Sequence, residues 1–102
     1  MNAETLARLE RISALDIKIL PLAEIQSHFV FERDGCAVLV ERRAQGFGGV
    51  GGPGLLTSTG FAALVDRDGR PWFVGKVEQR EATPEEAAAA RRLFTDLKSA
   101  LS

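Results

Sequence analysis

The sequence predicts an α+β protein: an antiparallel sheet of four to five strands, formed by two β-hairpins, with N- and C-terminal helices packed on one face. Three observations predict it. Apolar residues recur at helical spacing at both ends of the chain, the spacing falls to two between them, and two Asp-Gly dipeptides each separate a pair of β-branched and aromatic runs. The 102 residues are read as a single domain, 1–102.

At the N-terminus Asn2 is placed to cap a helix of roughly three turns, with Leu6, Leu9 and Ile12 as its apolar stripe. So short a helix holds only by packing onto something larger. Leu15, Ile17 and Ile19 then alternate with Asp16 and Lys18, which predicts a short strand stopped by Pro21. Leu22 to Gln26 reads as a connection or one helical turn.

Two hairpins follow. Residues His28 to Arg33 and Cys36 to Glu41 flank Asp34-Gly35, and residues Phe61 to Val65 and Trp72 to Val77 flank Asp68-Gly69. Gly supplies the positive φ that a two-residue turn requires. With such a turn, Arg33 pairs with Cys36, Phe31 with Val38 and Phe29 with Val40. His28, Glu32 and Glu41 then share the other face with Val30, Ala37 and Leu39, and this register segregates polarity better than a one-residue slip. Pro71 cannot donate to a ladder, so it is expected at a non-hydrogen-bonded pair or on an edge.

The C-terminal segment carries the clearest signal. Thr83 is an N-cap, Pro84 the first helical residue and Glu86 the closing member of a capping box. Downstream, Ala90, Leu93, Phe94, Leu97 and Leu101 line one side, predicting a helix from Pro84 to about Ala100.

Between the hairpins, residues 44–59 are expected to form a flexible connection, because Gly46 to Gly54 hold six of the ten glycines. Gly46 to Gly51 matches G-x-G-x-x-G in form only. A dinucleotide site needs a helix to open at once so that its N–H groups meet the pyrophosphate, and Gly52-Pro53-Gly54 follows instead. The connection is read as a tether or as a flap. As a flap it carries Phe47, Val50 and Leu55–Leu56 to a ligand or partner; alternatively its backbone N–H groups form an anion nest, assisted by Arg42 or Arg43 and the hydroxyls of Thr57, Ser58 and Thr59.

Composition removes several functions. Thirteen Lys and Arg against fourteen Asp and Glu leave a net charge of −1, without the clustered positive charge of nucleic-acid or membrane-surface proteins. One Cys excludes an internal disulfide and a multi-Cys zinc site. Within the first hairpin His28 and Cys36 lie roughly 13–17 Å apart at ~3.3 Å per residue, too far for a nucleophile–base pair. Cys36 therefore reads as a buried structural thiol, and His28, opposite Glu41, as a cross-strand polar pair. No catalytic residue, metal or cofactor is assigned. No apolar stretch has the form of a secretory signal or a membrane span, so a cytoplasmic location is expected.

The strands carry apolar residues on both faces. Phe61, Ala63 and Val65 oppose Ala62 and Leu64, and Trp72 and Val74 oppose Phe73 and Val77. A sheet with one wet face alternates more cleanly. Two helices cover one face only, which predicts a non-catalytic interaction module that self-associates as a homodimer or meets another protein. The competing expectation is a small-ligand-binding domain. Its pocket, under the glycine-rich flap, would be lined by Phe29, Phe47, Phe61 and Trp72, with Arg33, Arg42 or His28 as polar contacts. Phe47, Val50, Arg42, Arg43, Trp72 and His28 are thus the candidate binding residues.

Overall fold

The computed structural model describes residues 3–20, 26–44 and 46–102. Helix α1 spans Ala3–Ala14 and helix α2 spans Pro84–Leu101. Between them run β1 (Lys18–Leu20), β2 (His28–Arg33), β3 (Cys36–Arg43), β4 (Gly46–Thr57), β5 (Gly60–Arg67), β6 (Arg70–Val74) and β7 (Gln79–Glu81). The strands form one antiparallel sheet in chain order, β1 to β7. The α+β class and the terminal helices agree with the expectation from sequence, but the sheet has seven strands rather than four to five. The additional strands are β4, where a flexible connection was expected, and β7, whose three residues are all exposed and carry no alternation to read.

The first hairpin has the predicted register: Arg33 pairs with Cys36, Phe31 with Val38, and Phe29 with Val40. Its turn residues Asp34 and Gly35 have φ of 55° and 82°, the left-handed pair of a type I′ turn. Asp68 and Gly69 repeat this geometry at 51° and 78° between Arg67 and Arg70. Pro71 is not on an edge. It lies near the start of β6, between β5 and β7, and its carbonyl accepts from Ala82 N–H at 2.9 Å. The strand expected over Leu15–Ile19 begins later, at Lys18, because Leu15 and Asp16 are used to turn out of α1.

Both helices pack on one side of the sheet, with α2 across β3 and β4 and α1 against α2. The core on that side joins Leu93 and Leu97 of α2 to Phe31, Val38 and Val40, all fully buried. A second cluster, Phe73, Ala62, Ala82 and Ala87, lies under the start of α2, and Leu55 and Leu64 touch both clusters. On α1 Ile12 is buried as expected and Leu9 half-buried, while Leu6 is 52% exposed and Thr5 is buried beside it. The proposed cap Asn2 and the ambiguous residues 21–25 lie outside the described residues. Arg11 Nε donates to the Ala100 carbonyl at 2.9 Å, tying α1 to the end of α2. Arg33 reaches Asp96 of α2 at 2.9 Å and the Leu15 carbonyl at 3.1 Å. Among the described residues no helix is long and apolar enough to cross a membrane.

The α2 start is built as the sequence predicts. Thr83 Oγ1 accepts from Glu86 N–H at 3.1 Å, and Thr83 N–H donates to Glu86 Oε1 at 2.9 Å. Arg80, from β7, donates to both Glu86 carboxylate oxygens at 2.8 and 2.7 Å. These bonds, the Arg80 pair first and the Thr83 N–H second, hold the Glu86 carboxyl down from 4.5 to about 2. A carboxyl more acidic in the folded than in the unfolded chain stabilises the fold fully above pH 4.5 and less as pH falls toward 2. Urea titrations across this range should show the loss, and Glu86→Gln should flatten it. Thr83→Ala should cost about 1 kcal/mol at neutral pH.

Candidate functional site

The register of β4 explains its glycines. Val38 pairs with Pro53, Val40 with Val50, and Arg42 with Phe47. Gly51 and Gly52 therefore stand opposite Leu39 alone, and Gly48 and Gly49 stand opposite Glu41 alone. Each Gly-Gly dipeptide is a β-bulge, in which two residues oppose one and the strand bends and twists. A Cβ on Gly51 would lie 3.0 Å from the Leu39 carbonyl oxygen, and one on Gly48 would lie 2.6 Å from Arg43 Nε. Two bulges in succession turn the first half of β4 away from β5, which pairs with β4 only over Gly54–Thr57. At Gly54 the Phe61 ring lies over the backbone, 2.6 Å from where a Cβ would be.

The predicted binding residues divide between the two faces of the sheet. Phe47 and Val50 are on the helix side. Phe47 makes edge contacts with Phe29 and Phe31 at centroid distances of 5.2 and 5.7 Å, and Val50 packs against the core. Arg42 lies with them, its guanidinium 4.4 Å from the Phe29 ring centre. Trp72, His28 and Arg43 are on the opposite side. Arg43 pairs with Glu41 above Gly48, and His28 Nδ1 is 2.7 Å from Ser27 Oγ. The pocket expected from Phe29, Phe47, Phe61 and Trp72 is not formed, since the sheet separates the first two rings from the last two. Nor do the glycines form a flap or an N–H nest over it, because they lie within a strand of the sheet.

The side without helices is apolar over β4 to β6. Register places Leu56, Phe61, Ala63, Val65, Trp72 and Val74 there, and each is at least partly exposed. No described element covers them. Arg67, Arg70, Gln79 and Glu81 border the patch, with Arg67 stacked 5.7 Å from the Trp72 ring centre and bonded to Gln79 at 2.8 Å. The cue for this face was in the sequence; the cue for its border was not, because the border depends on β7.

Cys36 is 2% exposed on the helix side, and burial, helped by the Asp34 charge, pushes its thiol pKa up, away from the reactive thiolate. His28 lies five positions along the hairpin and on the other face. Among the described residues no three His, Cys, Asp or Glu side chains converge as metal ligands. No protein-family model matches the chain, and no curated protein or solved structure is similar enough to match it.

The glycine positions of β4 separate by the space around them. Gly54→Ala should lower the urea-unfolding stability by about 1–3 kcal/mol, since the new methyl meets the Ala62 carbonyl and the Phe61 ring. Gly49→Ala and Gly52→Ala meet nothing within 4 Å and should change it by less than about 1 kcal/mol.

Proposed function

We propose that the protein is a non-catalytic assembly module that pairs with a second copy of itself through the open face of its sheet. The amount of surface left uncovered carries this reading. The chain exposes 6392 Å², whereas a monomer of 11.0 kDa is expected to expose about 5,600 Å². The difference, roughly 800 Å², is one partner's share of a standard protein–protein interface. The molecule is correspondingly drawn out, 43 × 25 × 19 Å, as a broad sheet with cover on one side is.

The face suits its own copy. Its centre is aromatic and aliphatic, which is where binding energy concentrates. Its border carries both signs of charge, Arg67 and Arg70 beside Glu81, so a twofold-related copy can set opposite charges together rather than meet a field of one sign. Trp72, partly exposed and stacked under Arg67, is the natural anchor.

Light scattering behind size exclusion at micromolar concentration should give a mass of about 22 kDa for the wild type. Trp72→Glu and Val65→Arg should each return it toward 11.0 kDa with an unchanged circular dichroism spectrum. A wild-type mass near 11.0 kDa at about 100 μM overturns the reading, as that is far above the Kd of a standard interface.

A further inference from the structure

On the helix side, away from the open face, a solvent-connected groove of about 170 Å³ lies between α1, the end of α2 and the first half of β4. Phe47, Val50 and Leu101 supply its apolar wall, and Arg8 and Lys98 supply its charge. Ser102, whose main-chain oxygen accepts from Arg11 at 3.4 Å, also lines it, and no Asp or Glu side chain does. Lys98 has no anionic partner among the described residues; its ammonium rests 5.1 Å from the Phe94 ring centre. Arg8 is held by one terminal nitrogen to Glu4 Oε1 at 2.6 Å, while its Nε is buried with no hydrogen-bond partner. Buried guanidinium donors are rarely left without an acceptor, and each such case calls for an explanation.

We propose that this groove binds a small carboxylate with a compact apolar body, of the size of benzoate or a branched short-chain acid. An apolar cavity of about 150 Å³ holds one benzene ring, so the volume sets the size of the body. The carboxylate lies between Lys98, to which it gives a counter-charge, and the terminal nitrogens of Arg8, which it shares with Glu4. The ring or alkyl group lies on Phe47, Val50 and Leu101. The Gly48-Gly49 bulge shapes the site: the Gly48 backbone forms part of its wall, while the place of its missing side chain lies on the other face of the strand, against Arg43 and Glu41. This site is independent of pairing through the sheet, and each can fail without the other.

Amide-detected NMR titration with benzoate tests it. Benzoate should bind with a Kd in the low millimolar range or below and shift the amides of Arg8, Phe47, Val50, Lys98 and Leu101. Benzyl alcohol, the same ring without charge, and inorganic phosphate, the charge without the ring, should each bind about tenfold more weakly or not at all. Arg8→Gln and Lys98→Gln should each weaken benzoate about tenfold, read on variants whose remaining amide spectrum matches the wild type. Lys98 is exposed, so its variant keeps the test open if Arg8→Gln does not fold. Benzoate shifts confined to other residues, benzyl alcohol or phosphate binding as tightly as benzoate, or undiminished affinity in Lys98→Gln would each overturn the proposal.

Discussion

The structure depends on the packing of α2 against β3 and β4. Leu93 and Leu97 meet Phe31, Val38 and Val40 there, and these are among the least exposed large side chains in the chain. With no disulfide possible, a chain of this size is held together chiefly by such a core. The same contact fixes the asymmetry of the molecule. Once α2 lies on that side and α1 lies against α2, no further helix among the described residues is left for the other side. The apolar side chains of β4 to β6 then face outward, with no described element over them.

The two bulges in β4 reconcile this core with a seven-stranded sheet. α2 must reach both the Phe31 cluster and the Phe73 cluster, which lie on different parts of the sheet. A flat sheet would not bend both toward one helix. The two extra residues lie in the half of β4 that pairs with β3 alone, while Leu55 and Leu64, further along the sheet, pack against both clusters. Glycine suits these places because the β3 backbone and the Arg43–Glu41 pair approach where a side chain would stand.

Much of the fold was legible in the residues. Asp34-Gly35 and Asp68-Gly69 specified their turns, and the alternation around the first fixed its register pair by pair. Thr83-Pro84-Glu85-Glu86 specified the start of α2 down to the individual hydrogen bonds. What misled was glycine. Six glycines among nine residues have the composition of a tether, and nothing local reveals that β3 supplies a ladder for them. Their strand character is a tertiary effect, in which the ladder with β3, where Arg43 stands opposite Gly46 and Ala37 opposite Gly54, outweighs a poor intrinsic propensity. β7 was missed for a related reason: its three residues owe their conformation to β6 and to a tight turn closed by Gly75 N–H and the Glu78 carbonyl. For the candidate site, alternation disclosed the apolar open face. It could not reveal the groove, whose walls come from three segments far apart in the chain.

The margins of the sheet carry a consequence of their own. Its outermost strands are three residues long, with Lys18 on one and Arg80 and Glu81 on the other, and the unaccompanied stretch of β4 is bulged and contains Pro53. Short, charged or irregular rims are poor templates for adding another ribbon of backbone. Lateral growth into fibres is therefore discouraged at these margins.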